Sequence, residues 1–197
     1  VIEAKRPDSN KEGKSTNFEA ISQHIRNQKQ DEIPHLYAYS QLLLAINGHE
    51  GLYATCGTPE KFWAKWKEEH SYLGIPEAEF VRLKNHTLRD EQLNALFNHR
   101  PTKDKDDYQS LIAAGELTVT DQDRLIVSLL RPERLLDMTR LFTLFDKKAG
   151  KIVARYQQVF GIKALIERIN TFDDTGAREG GVIWHTTGSG KSFTMVF

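Results

Sequence analysis

The chain has 197 residues, enough for one large domain or for one domain and part of a second. Hydrophobic residues make up 39% and charged residues 27%, the balance of a soluble globular chain, and Lys+Arg and Asp+Glu both count 27, so any nucleic-acid binding needs a local basic patch. The one cysteine, Cys56, excludes an internal disulfide framework and a cysteine-built zinc site, and fits a reducing cytoplasm.

The predicted elements begin with a strand over Val1–Lys5, in "VIEAK". The first residue is Val rather than Met and the pattern reads as mid-strand, so the expectation is a fragment cut at both ends. Arg6–Ser15 is polar, holds Pro7 and Gly13, and is predicted to be a loop. Asn17–Gln30 places Phe18, Ile21 and Ile25 at helical spacing. Leu42–Ile46, then "NGHEG", then Leu52–Cys56 reads as a β-hairpin, because Asn and Gly both tolerate positive φ at the turn. Thr58-Pro59 predicts a helix start, with Phe62, Trp63 and Trp66 on one stripe, and Trp63 and Trp66 spaced like core or interface residues rather than a base-stacking platform. Residues 71–123 are polar and predict a linker region with short helices. Pro132 opens an amphipathic helix carrying Leu135, Leu136, Leu141, Phe142, Leu144 and Phe145, which "DKKAGK" ends. A second helix is predicted over Ile152–Ile169, then a loop "NTFDDTGAREGG", then a short strand Val182–Trp184. No apolar run reaches the ~18 residues of a membrane span, and no signal peptide is present, so no membrane partner is expected.

The strand Val182–Trp184 leads into "HTTGSGKSFTMVF". The pattern G-x-G-K-[S/T] occurs by accident in ~1% of chains this long at average residue frequencies, but its setting between a strand and a helix start is the one a phosphate loop needs. Glycines let backbone N–H groups turn toward phosphate oxygens, and the following helix N-terminus adds partial positive charge. In that reading Thr186, Thr187, Gly188, Ser189, Gly190, Lys191 and Ser192 bind ATP, with Lys191 on the β and γ phosphates and the Ser192 hydroxyl on Mg²⁺. His185 stands where the longer pattern G-x-x-x-x-G-K expects Gly. The competing reading is a Gly/Ser surface turn with a solvated lysine.

At the other end, Glu3 and Lys5 are two apart, which in a strand puts them on one side. A carboxylate that holds Mg²⁺ beside a lysine that positions water is what metal-dependent phosphodiester cleavage uses. The spacing alone is weak, since Glu12/Lys14 and Asp146/Lys148 share it, and a solvated ion pair is the competing reading. Only Glu3/Lys5 follows an apolar strand start. His24, His35, His49, His70, His86 and His99 are scattered without metal-ligand spacing, and Cys56 reads as a small buried hydrophobe.

Taken together, "VIEAKRP", "NFEAISQHIRNQ", "QLLLAINGHEGLYATCGT", "FWAKWK", "LLDMTRLFTLFD", "KIVARYQQVF" and "GGVIWHTTGSGKS" resemble, in order and spacing, the restriction (R) subunit of type I restriction-modification enzymes. The resemblance thins over 71–123. It implies an α/β fold: the C-terminal part of a PD-(D/E)xK nuclease-like domain over 1–70, a helical linker over 71–130, and over 131–197 a helical entry with the first strand and phosphate loop of a RecA-like motor. The implied activity is ATP-driven translocation of double-stranded DNA, with cleavage of unmodified DNA when translocation stalls. Cytoplasmic location and a complex with modification (methyltransferase) and specificity subunits follow from the same resemblance.

By that pattern Glu3 is a metal ligand and Lys5 the catalytic lysine, while the first acidic ligand lies upstream. The family's helix motif Q-x-x-x-Y finds Gln23 in place, but Asn27 stands where Tyr is expected. "ARYQQ" resembles the adenine-reading R-x-x-Q segment of such motors, which implicates Gln158 with Arg155 in support. His185 is usual in the family and is expected to shape the loop. Two alternatives stay open here: a superfamily 2 DNA motor with a non-catalytic N-terminal accessory domain, and an unrelated P-loop kinase or GTPase.

Overall fold

The computed structural model describes residues 1–7, 15–68, 73–115, 117–186 and 188–197. Thr187 of the phosphate loop, His70 and the Glu12/Lys14 pair lie outside the described residues. The predicted strand is β1 (Ile2–Ala4), and the predicted first helix is α1 (Asn17–Asn27). A short helix α2 (Pro34–Ala38) leads to the predicted hairpin, β2 (Leu43–Ile46) and β3 (Gly51–Ala54). β1 runs parallel to β2, with Glu3 opposite Ala45, and α1 and α2 form the crossover that a parallel pair requires. β2 and β3 pair antiparallel. Their turn closes through Asn47, whose side-chain oxygen accepts from the backbone N–H groups of His49 at 3.2 Å and Glu50 at 2.8 Å.

All four residues of β2 are buried, so the strand sends apolar side chains to both faces of the sheet. Leu43 and Ala45 meet Ala20, Ile21, Tyr37 and Trp63 on the side of α1 and α2. Leu44 and Ile46 meet a larger core on the other side, formed with residues from three later helices and the strand region between them. The result is a sheet sandwiched between two helical layers.

The stretch read as linker supplies part of that second layer. It holds α3 (Glu77–Lys84), α4 (Asp90–Phe97), α5 (Thr102–Ala114) and α6 (Asp121–Leu129). Leu125 and Leu129 of α6 have no exposed surface. Thr120 and Asp123 cap α6 reciprocally, and Gln122 ties it to the β2–β3 turn through bonds with Gly48 and His49. Gly51 makes the docking possible: a Cβ there would lie 2.5 Å from Leu125 Cδ2.

Four sequence expectations are corrected here. The helix predicted from Thr58 is one 3₁₀ turn, Glu60–Phe62, after which the backbone extends and Ala64 pairs with Tyr53 at both hydrogen bonds, 2.8 and 3.0 Å. Trp63 and Trp66 are buried as expected, but on opposite faces of the sheet, because residues three apart in an extended chain point opposite ways. The helix from Pro132 stops at Arg140 (α7, Pro132–Arg140), and "FTLFDKKAGKIVA" forms a hairpin, β4 (Thr143–Asp146) and β5 (Gly150–Val153). Asp146 fixes its turn by accepting from Lys148 N and Ala149 N at 2.8 and 2.7 Å, and Gly150 supplies φ 73°. The second helix therefore starts later, as α8 (Tyr156–Asn170). The strand predicted over Val182–Trp184 does not form: among the described residues no neighbour pairs with it, and Val182 and Trp184 are exposed. No helix of the described residues is long and apolar enough to cross a membrane.

Candidate functional site

Parallel pairing with β2 holds β1 extended, and Lys5 N continues the ladder by donating to Ile46 O at 2.8 Å. Glu3 and Lys5 therefore emerge on the same side, and Lys5 Nζ lies 2.9 Å from Glu3 Oε1. Lys5 Nζ also donates to the Oε1 of Gln23, which α1 delivers across the strand. Glu3, Lys5 and the more distant Gln23 form one polar cluster whose two charged side chains keep about a quarter of their surface exposed, at 24% and 23%. A phosphate and a hydrated ion can reach it. Mg²⁺ is held by one or two carboxylates completed by water and substrate phosphates. Glu3 offers one; among the described residues no group of three or more His, Cys, Asp or Glu gathers around an ion.

Beneath the cluster lies a buried polar network that the spacing of residues did not reveal. His24 is 1% exposed. Its Nδ1 pairs with the Tyr37 hydroxyl and its Nε2 with Leu44 O, each at 3.1 Å, and its ring stacks on Trp63 at 5.4 Å. Burial pushes the imidazole pKa below its ordinary value. Since Leu44 immediately precedes Ala45, the residue opposite Glu3, His24 pins α1 to the strand beside the cluster and so positions its neighbour Gln23. Burial raises the Tyr37 pKa. The helical position of His24 beside the apolar Ala20 and Ile21 was the available sign that it faces inward.

The second cluster surrounds the phosphate loop. Gly188 and Gly190 have φ 79° and 86°, and Lys191 opens a four-residue helix, α9 (Lys191–Thr194). Lys191 and Ser192 are exposed. Ser189 Oγ donates to Thr186 O at 2.7 Å and lies 3.3 Å from His185 Nδ1, so His185 shapes the loop. Gln158 is only 4% exposed. Its Oε1 accepts from Arg155 N at 2.8 Å, capping α8, and its Nε2 donates to Gly190 O at 3.0 Å, tying α8 to the loop. Both ends of the Gln158 amide are therefore engaged within the chain, while Arg155 remains partly exposed beside it. Cys56, expected to be a small buried hydrophobe, is half-buried against the α1 side of the sheet, and burial raises its pKa.

The two ends match two different families. Residues 1–62 match the type I restriction enzyme R protein N terminus, and residues 157–197 match the SWI2/SNF2 ATPase. Over its whole length the chain is 28% identical to a putative type I restriction enzyme MjaIXP endonuclease subunit and 31% identical to the MjaVIIIP one, both from Methanocaldococcus jannaschii. This chain is a relative of type I restriction R proteins. The HindI endonuclease subunit of Haemophilus influenzae is 28% identical over 85% of the chain. Against these R proteins the chain spans a small part: 16%, 15% and 13% of their respective lengths. No solved structure matches. The R-protein match takes in Glu3, Lys5 and Gln23, and the ATPase match takes in Gln158 and the phosphate loop, with Arg155 just ahead of it.

Proposed function

We propose that this chain contributes the nuclease and the first nucleotide-binding element of an ATP-dependent DNA translocase and endonuclease. In this reading it cuts unmodified double-stranded DNA after translocation, in a cytoplasmic complex with modification and specificity subunits. The observation that carries the reading is the convergence of Lys5 on both Glu3 and Gln23 across a strand and a helix. Glu3 ligates Mg²⁺, Lys5 offsets charge on the scissile phosphate and orients water, and Gln23 holds the lysine in place. Lys191 and the loop amides from Thr186 to Gly190 grip the ATP phosphates, with Ser192 on the nucleotide's Mg²⁺. Arg155 and Gln158 lie on the adenine side, and Gln158 must give up one of its two internal bonds to read a base. By itself the 197-residue chain hydrolyses no ATP and cuts no DNA, because among the described residues the N-terminal cluster offers its metal one carboxylate and the phosphate-loop cluster none.

The test uses a restriction complex whose R subunit carries this sequence. Lys5→Ala abolishes cleavage and leaves DNA-stimulated ATP hydrolysis intact, whereas Lys191→Ala abolishes both. Normal cutting by Lys5→Ala would sink the nuclease assignment. The single carboxylate in the N-terminal cluster favours a second reading, a superfamily 2 DNA motor with a non-catalytic accessory domain, which predicts that outcome. A P-loop kinase or GTPase is disfavoured by the SWI2/SNF2 match.

A further inference from the structure

The chain carries no net charge, yet between Arg140 and Arg155 it holds five cations (Arg140, Lys147, Lys148, Lys151, Arg155) and one carboxylate, Asp146. Three of the cations, Lys147, Lys148 and Lys151, lie on the β4–β5 hairpin, while Arg140 ends α7 and Arg155 precedes α8. Asp146 is committed to the turn's own N–H groups. Lys151 anchors the hairpin to the body by donating to Ser40 O at 3.1 Å and Gln41 Oε1 at 2.7 Å. Lys147, Lys148 and Arg155 make no ion pair among the described residues.

Beside the hairpin runs a groove of about 490 Å³. Lys148, Lys151 and Phe62 line it together with Arg155, Gln158 and the loop glycines of the second cluster, and no aspartate or glutamate is among its described lining residues. Two exposed aromatic rings, one on the hairpin and one in the groove lining, each lie next to a lysine. On the hairpin Phe145, 81% exposed, pairs across the strands with Lys151, whose Nζ lies 6.0 Å from the ring centre. In the lining Phe62, 52% exposed, lies under Lys61 at 4.9 Å.

We propose that this hairpin and the adjoining Phe62 bind an unpaired DNA strand, with phosphates on Lys147 and Lys148 and bases on Phe145 and Phe62. A carboxylate-free cationic groove flanked by exposed rings matches what a single strand presents, a phosphate chain with open base faces. A duplex hides those faces, so it would satisfy the cations and leave the rings without partners. The groove is shared with the second cluster, but Phe145, Lys147 and Lys148 belong to neither cluster, so their variants test this surface apart from the reading above.

The test is binding of the 197-residue chain to a fluorescent 20-nucleotide oligothymidylate, measured by anisotropy over a salt series. Removing both exposed tip lysines in K147A/K148A reduces the slope of log affinity against log salt by about 1.4, at ~0.7 per phosphate contact on a single strand. F145A weakens binding roughly 5- to 150-fold at constant slope, as loss of a stacked base requires. All three positions are exposed, and an unchanged circular dichroism spectrum verifies that the variants stay folded. Lys103→Ala, which removes an exposed cation of α5, binds like the parent chain, so the loss is specific to the hairpin. An unaltered slope in K147A/K148A, tighter binding of the matching duplex, or equal competition by polyglutamate would overturn the proposal.

Discussion

Glu68 and Arg134 are the charged pair on which the junction between the sheet and its second helical layer depends. Their side chains are 6% and 10% exposed. One guanidinium nitrogen, Nη1, bridges both carboxylate oxygens at 2.8 and 3.0 Å. The same carboxylate accepts from Trp66 Nε1 at 2.7 Å and from Ile75 N at 3.0 Å. The guanidinium lies 5.3 Å from the Trp66 ring and 5.1 Å from that of Phe160. Glu68→Ala therefore strands a buried cation and removes the acceptor of two neutral donors. Breaking such a pair from one side costs about 3–5 kcal/mol, and each neutral donor left without a partner adds about 1 kcal/mol or more. For a chain of this size the pair loss alone lowers Tm by about 6–20 °C. Glu68→Gln costs less, since its oxygen still accepts one bond. Glu68→Leu/Arg134→Met removes both charges and keeps only the cost of the two stranded donors, about 2 kcal/mol, because an apolar pair of similar volume avoids the desolvation penalty. Urea unfolding followed by circular dichroism measures all three. A Glu68→Ala cost under about 1 kcal/mol, or a double variant as unstable as the single one, would refute the account.

Two further predictions concern the two clusters. Burial holds the His24 pKa below 6.5, so the unfolded chain takes up a proton there before the native one does. Stability from this group is full above about pH 6.5 and falls as pH drops below it, by at most about 1.4 kcal/mol per pH unit. In His24→Gln the stability-pH profile flattens between pH 6.5 and 5, while the loss from Glu50, held low by Lys65 and Ser15, stays below its ordinary value of 4.5 in both proteins. Gly190→Ala forces a β-carbon at φ 86° to within 2.6 Å of Gln158 Nε2. It costs about 1–2 kcal/mol from the left-handed backbone alone and breaks the bond from Gln158 to the loop, which faster amide exchange at Phe193 and Thr194 reports, since both donate to Gly190 O.

The first third of the fold was legible because its signals are local. An alternating strand, a helix with apolar residues every three or four positions, and an Asn-Gly turn each specify their own backbone. The middle misled for a physical reason. Leu141, Phe142, Leu144 and Phe145 satisfy a helical period and also the alternation of a short strand, and what decides is the Asp146 side chain closing a turn with Gly150 behind it. Trp63 and Trp66 were legible as buried but not as opposed, because periodicity cannot register that Ala64 pairs with Tyr53. Of the candidate sites, the Glu3–Lys5 pair follows from strand geometry alone, and Gln23 joins it only through the helix motif. His24 and Tyr37 were not found, since their meeting depends on how α1 and α2 pack on β2.

That packing bears on how the two clusters relate. β2 carries Ala45 opposite Glu3 and, through β3, holds Tyr53 in the opposite core. The Tyr53 hydroxyl donates to Ala154 O at 2.8 Å, and burial raises its pKa, so it stays a neutral donor. Ala154 is followed by Arg155, whose N–H is held by Gln158, and Gln158 in turn holds Gly190 of the phosphate loop. Hydrogen bonds and two strand pairings thus run without a break from the sheet bearing the Glu3–Lys5 cluster to the loop bearing Lys191. Continuity transmits a signal only if some element along it has two discrete arrangements. In the proposed reading Gln158 is the one member with a reason to switch, because reading a base would require it to release either the start of α8 or the loop. A nucleotide that recruits its amide would loosen one of those two contacts, and only release of the α8 cap would be felt at Arg155, next to the Ala154 carbonyl that Tyr53 grips.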